Sequence, residues 1–315
     1  MDGRWTSVLA EYTRVAADIV ALDSELPLKS RDSIETASGN IPKLGMKLYL
    51  SEKQMKDIDS MISQNLPLNT ILQNIFADTT RVIEGVWERL EDIFLSELSS
   101  GLGLATRSEG TGVRINMNFY DANQFVTTKL WNKDGSHPLD DIQKVFDKAL
   151  EDANVITDVY LDDTALQLLY KHADVRAQFA FNQGISMTGT TAIPVLDLDK
   201  ISQIFLTKWG VNVHRVARRV KTEINGEKVS HNPWKTGAMT FVCDEMLGSL
   251  IWTNVAEASR PVDGVMYENA DEFILVKKYS ITEPLREFTA SEAMVIPVLN
   301  NVDRIYTFDT QTEQE

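Results

Sequence analysis

Few residues in this chain have the types and spacing that chemistry needs. Gly101-Leu102-Gly103 opens like a dinucleotide fingerprint. Thr106 stands where the third glycine belongs, however, and a helical pattern rather than a strand precedes it, so these glycines read as a helix C-cap. Gly184-Ile185-Ser186-Met187-Thr188-Gly189 is one residue longer than the Gly-x-Ser-x-Gly nucleophile elbow. That tight strand–turn–helix cannot absorb the insertion, so a serine hydrolase is not expected. Cys243, the single cysteine, lies in a strand pattern beside Asp244. An acidic neighbour raises a thiol's pKa, which predicts a buried structural thiol rather than a nucleophile. One cysteine also excludes intrachain disulfides and multi-cysteine zinc or iron–sulfur sites.

The four histidines are scattered. His214 sits among Arg215, Arg218 and Arg219 with no carboxylate at ligand spacing. His137 and His231 lie in polar loops, where solvated rings are expected. His172 is near a helix end, where a protonated ring suits the dipole. Among the acids, Asp162 and Asp163 read as helix-capping residues, and Asp197 and Asp199 as caps of a helix at Ile201, a divalent-ion site being the alternative. The basic run Arg215-Val216-Ala217-Arg218-Arg219 reads as a solvated, charge-guarded strand edge. No catalytic constellation, cofactor site or metal site is expected.

The 315 residues include 31 basic and 46 acidic side chains, a net charge of −15. Strong acidity argues against a protein that reads nucleic acid through clustered cations. No apolar stretch is long enough to span a bilayer, and Met1-Asp2-Gly3-Arg4 lacks the basic and apolar regions of a secretory leader. A soluble, cytoplasmic protein with a core of its own is expected, its length suggesting about two domains.

The elements that would position any site are clearer. Apolar residues from Trp5 to Leu22 at steps of three and four predict an amphipathic helix, packed either on its own core or as an arm on a neighbouring subunit. Ser24 to Asn40 reads as loop. Leu44, Met46, Leu48 and Leu50 alternate with polar neighbours and predict a half-buried strand. Ser51 and Gln54 then form a capping box. From Asn69 to Ser100 helical spacing persists through Ile75, Val82, Val86, Leu90, Ile93 and Leu98, a rod of roughly 45 Å. A strand over 113–119, a helix from Pro138 to Leu150, a strand over 155–161, a helix to Tyr170 and another from Ile201 to Lys208 follow. Strands are then predicted over 211–223, with an Asn225-Gly226 hairpin turn, and over 238–242, 250–253, 272–276, 291–298 and 304–308.

In order and content these pieces resemble the lambda-type major capsid proteins of tailed bacteriophages, with the Hong Kong 97 fold. The resemblance is carried by Ile41-Pro42-Lys43-Leu44-Gly45 running through Leu50-Ser51-Glu52-Lys53, like the returning strand of that family's extended loop. It is carried further by Pro138-Leu139-Asp140-Asp141-Ile142, Thr157-Asp158-Val159-Tyr160-Leu161-Asp162, Leu168-Leu169 and Val175-Arg176, like the opening of its axial domain. Glu283-Pro284, Glu287 to Ala293 and Ile296-Pro297-Val298 resemble its closing segment.

The resemblance implies an α+β capsid fold. Its parts would be an N-terminal arm (1–23), an extended β loop (24–50), a peripheral domain (51–134) with a spine helix at 69–100, an axial α/β domain (135–283) and a C-terminal return to the peripheral domain (284–315). It implies a non-enzymatic head protein that assembles into the pentamers and hexamers of an icosahedral shell around DNA. Portal, scaffolding and decoration proteins would be its partners, the scaffold on a separate chain, and no membrane or cofactor would be involved. Shells would be built in the host cytoplasm and end in the virion. Ser38, Gly39, Asn40 and Pro42 of the loop, with Trp5 and Tyr12 of the arm, are the expected assembly residues, and 38–40 the expected loop tip. The shell of an encapsulin-like nanocompartment is the alternative function, an α/β enzyme a more distant one.

Overall fold

The structure is a computed structural model that describes residues 4–10, 34–63, 68–106, 112–184, 195–224 and 227–314. The chain begins with β1 (Arg4–Ala10), β2 (Ile34–Asn40) and β3 (Lys43–Ser51), then α1 (Glu52–Ser63) and α2 (Leu68–Ser100). The capping box forms as expected at the start of α1: Ser51 N–H donates to Gln54 Oε1 at 2.9 Å, and Gln54 N–H reaches back to Ser51 Oγ. The 33 residues of α2 make a rod of about 50 Å. Gly101, at φ +71, ends it and donates its N–H to Glu97 O, a left-handed position that strains any residue with a Cβ. β4 (Leu102–Thr106) and β5 (Gly112–Asn116) form a two-stranded ribbon beyond it.

The middle of the chain contributes β6 (Gln124–Thr127), α3 (Pro138–Glu151), β7 (Asp158–Leu161), α4 (Asp163–Lys171), α5 (Ala173–Asn182), α6 (Leu198–Trp209), β8 (Asn212–Arg215), β9 (Val220–Ile224), β10 (Glu227–His231) and β11 (Ala238–Val242). Asp162 and Asp197 cap α4 and α6 by accepting from Ala165 N–H and Lys200 N–H. The remainder is β12 (Gly248–Thr253), β13 (Met266–Ala270), β14 (Ile274–Thr282), β15 (Leu285–Leu299) and β16 (Ile305–Glu313).

Two five-stranded sheets organise these elements. The first runs β6-β16-β11-β7-β8. Its core is apolar and complete, with Ile142 and Val145 of α3, Leu166 and Leu169 of α4 and Phe205 of α6 packed on Phe241, Tyr306 and Phe308. The second is built on the 15-residue β15, which bonds β14 along one edge and β3 and then β12 along the other, with β13 beyond β14. The spine α2 lies on it, with Val82, Val86 and Leu90 against Ile274, Val276, Ala293 and Val295. β3 approaches the spine so closely that a Cβ on Gly85 would lie 2.1 Å from Met46 Sδ.

Strand pairing redistributes the expected segments. β12, β13 and β14, from the stretch expected to be axial, join the sheet beneath the spine, whereas β16, expected to return there, sits between β6 and β11 in the other sheet. The alternation of β16 identifies a strand but not its neighbours, and Tyr306 and Phe308 have their apolar partners 60 or more residues away. The single strand expected over 211–223 divides into β8, parallel to β7, and β9, antiparallel to β10.

Candidate assembly surface

Four of the six expected assembly residues, Trp5, Ser38, Gly39 and Asn40, lie in one ribbon. β1 and β2 pair antiparallel with Arg4 opposite Asn40, Trp5 opposite Gly39 and Thr6 opposite Ser38. Trp5 is therefore in a strand, not a helix. Trp, Thr and Val favour extended backbone, and β2 supplies the hydrogen bonds a helix would have made internally; residues 11–22 of the expected helix, Tyr12 among them, lie outside the described residues. Residues 34–40, expected as loop, are likewise a strand. Ser38, Gly39 and Asn40 are at the root of the ribbon rather than its tip, because Ala10 pairs with Ile34 at the far end. Pro42 links the ribbon to β3, next to Ile41, which is buried among Ile93, Leu98 and Ile296. Among the described residues the two strands pair only with each other.

The root is anchored by charge. Lys43 of β3 pairs with Glu292 of β15 at 2.6 Å, Glu292 with Lys277 of β14 at 2.7 Å, and Lys277 with Glu257 at 2.5 Å. Tyr267 OH donates to Glu257 at 2.8 Å. Burial alone would raise the Glu292 carboxyl, but hydrogen bonds from Lys277 and Lys43 outweigh it and hold the group below the usual range. Lys277 is held above the usual lysine range, its own desolvation outweighed by Glu257 and Glu292. Glu292 and Lys277 are thus held in their charged forms, and the chain of contacts ties three strands together.

One acid is different in kind. Glu97, on the last turns of the spine, is fully buried, and neither carboxyl oxygen has a hydrogen-bond partner. Burial pushes it up to about 9, so it is neutral at pH 7. Sequence pattern gave no sign of this, since Glu97 reads there as one more polar helix residue.

The remaining chemical candidates resolve into structural roles. His137, His214 and His231 are not free in solvent: they meet Asp174, Asp158 and Asp92 at 2.7, 2.7 and 2.6 Å. Those partners lie 37 to 139 residues away, too far for spacing to reveal. His172 caps α5 by accepting from Asp174 N–H through Nδ1, and its Nε2 meets Ser136 Oγ at 3.0 Å. With Nδ1 accepting, neutral His172 carries its proton on Nε2 and cannot deprotonate Ser136. Burial lowers its pKa, so it is not the protonated helix-end ring expected from sequence. Arg215 and Arg218 are not simply solvated: Arg215 pairs with Asp163, and Arg218 with Glu88 and Glu91 of the spine. Cys243 is buried, its thiol pushed up to about 12. No cluster of three or more metal-ligating side chains occurs among the described residues.

The profile of the phage major capsid protein E family matches residues 9–301. The chain belongs to that family. No curated protein matches it. A solved candidate capsid protein of an Escherichia coli CFT073 prophage is similar over 89% of this chain and 79% of that one, at 12% identity and a TM-score of 0.59. A phage-related protein of Bordetella bronchiseptica RB50 aligns over 91% and 82% at 12% identity, TM-score 0.47. The mature capsid protein of bacteriophage PhiM1 aligns over 98% and 82% at 7% identity, TM-score 0.48. As a phage major capsid protein, the chain is a structural component of a phage head.

Proposed function

We propose that this capsid protein self-assembles, through its N-terminal ribbon, into the pentamers and hexamers of a closed icosahedral shell around packaged DNA, and that it performs no catalysis. One observation carries the proposal: among the described residues, β1 and β2 bond to each other and to no other strand. An isolated two-stranded ribbon is marginally stable in water, so its ordering entropy is offset once a neighbouring copy covers it. Assembly would proceed in the host cytoplasm with a separate scaffolding protein, a portal at one vertex and decoration proteins outside. The net charge of −15 would keep the inner wall from trapping DNA.

Light scattering and electron microscopy of the purified protein test this: large closed particles or capsomers are expected, and a solution of monomers alone at high concentration would overturn it.

A further inference from the structure

Trp87 of the spine and Trp252 of β12 are both 40% exposed. Each rests against Phe273, Trp87 edge-on with ring centres 5.4 Å apart and Trp252 tilted at 6.4 Å. Three elements distant in sequence thus build one aromatic patch at the surface. Phe273 belongs to the β13–β14 turn, where the preceding Asp271 and Glu272 stand at φ +49 and +65. Aspartate visits that left-handed region on occasion and glutamate rarely, so the turn persists because its surroundings fix it. The fixing contact is Trp87, whose indole N–H donates to Asp271 Oδ2 at 2.8 Å. The charge beside the rings is unbalanced. Among the described residues Asp271, Glu272 and Glu268 of β13 meet no cation, and the lysines of β14 are taken elsewhere, Lys277 by Glu257 and Glu292 and Lys278 by Glu287. Other partly exposed rings are covered by the chain's own cations: Arg286 lies 4.7 Å from the centre of Tyr49, and Lys208 4.8 Å from that of Trp209. Trp87 and Trp252 have no such cation among the described residues.

We propose that this patch is a receptor for an arginine-bearing basic segment of a second, different protein, the guanidinium lying over the exposed indoles with the turn carboxylates as its counter-charge. Indole is the strongest aromatic partner for a cation, and a planar guanidinium also stacks on it. A second copy of this chain suits the patch less, because it brings 46 acidic against 31 basic side chains. Its net charge of −15 opposes approach to an acidic site, whereas a basic partner is drawn in. The fixed turn serves the same end. It seats Phe273 against both indoles before any partner arrives, so little ordering is left to oppose binding. The inference is independent of the assembly reading above, since Trp87, Trp252 and Phe273 belong to the spine and the β15 sheet and not to the ribbon.

Two measurements on the full chain test it. The probe is a labelled peptide of alternating arginine and glycine, and the control is its citrulline counterpart, similar in shape but uncharged. By fluorescence anisotropy at physiological ionic strength, the arginine peptide should bind and the citrulline peptide should not. Trp87→Leu/Trp252→Leu, which leaves every charge in place, should weaken binding roughly tenfold. Asp271→Asn/Glu272→Gln, which leaves every ring in place, should weaken it similarly and reduce its dependence on salt. A parent that does not bind, a tryptophan variant that binds like the parent, or a citrulline peptide that binds equally well would each overturn the proposal. The second measurement uses the parent alone and decides the matter if a variant fails to fold. The arginine peptide should shield tryptophan from quenching by acrylamide, a signal to which Trp131 and Trp234, 3% and 1% exposed, contribute little. Unchanged quenching would overturn the receptor. Shielding that grows with protein concentration in the absence of peptide would give the patch to a second copy, and would overturn it too.

Discussion

The sheet of β6, β16, β11, β7 and β8, with its helices, and the N-terminal ribbon of β1 and β2 are opposite solutions to the same problem. The first buries Phe205, Phe241, Tyr306 and Phe308 inside one apolar cluster and satisfies its backbone from within. The ribbon satisfies its backbone by pairing but packs on nothing extended. Between them lies the spine with the β15 sheet, stable enough to serve as a platform yet holding a buried acid at one end and a surface-connected charge network at the other. On the assembly reading proposed above, the first would fold by itself and the ribbon would be completed by a neighbouring copy.

The largest effect should come from the platform. Val86→Asp would place a charge among Ile274, Val276 and Val295 and should cost about 3–5 kcal/mol, read as a large fall in melting temperature and soluble yield. A variant that melts like the parent would remove the spine from the core and collapse the contrast.

Glu97→Gln comes next, through pH. Because burial raises its folded-state pKa to about 9 from the ordinary 4.5, the contribution of Glu97 is most favourable below pH 4.5, and stability is lost through this group as pH rises towards 9. The variant should flatten that slope and gain about 2 kcal/mol at pH 7. Parallel melting-versus-pH curves for the two proteins would show that Glu97 does not titrate as a buried acid.

Glu292→Gln should show the opposite sign and a smaller effect. The lowered pKa of Glu292 means its pairing with Lys277 and Lys43 stabilises the fold above the ordinary carboxylate range and is lost as pH falls through the folded value. The variant should lose about 1 kcal/mol at pH 7 and lack that portion of the acid limb; an unchanged acid limb would show that the network does not anchor β3.

Deleting residues 36–40 should change melting by less than about 0.5 kcal/mol while abolishing particles in electron micrographs. A destabilised monomer would mean that the ribbon belongs to the fold. Glu84→Gln, on the exposed face of α2, should be the mildest, within about 0.5 kcal/mol of the parent by chemical denaturation.

Much of the fold was legible because its signals are local. The periodicity of Val82, Val86, Leu90 and Ile93 marks the spine, its expected span of 69–100 lying one residue from Leu68–Ser100. Asp162, Asp197 and the Ser51–Gln54 pair announce three helix starts within a single turn. The candidate site was legible by composition only: Trp5, Ser38, Gly39 and Asn40 were picked out, but their pairing was not. Trp5 and Val8 at helical spacing compete with a strand partner some 30 residues on, and that partner has no alternation of its own.

By itself, then, the sequence determined where most helices begin and end and which faces are apolar, because capping and periodicity act over one to four turns. Only the tertiary structure decided which sheet receives β16, which aspartate each histidine meets, that Glu97 is stranded without a partner, and that 38–40 is a root rather than a tip. Each of these depends on backbone pairing or desolvation between residues tens to hundreds of positions apart, where no local pattern carries information about the partner.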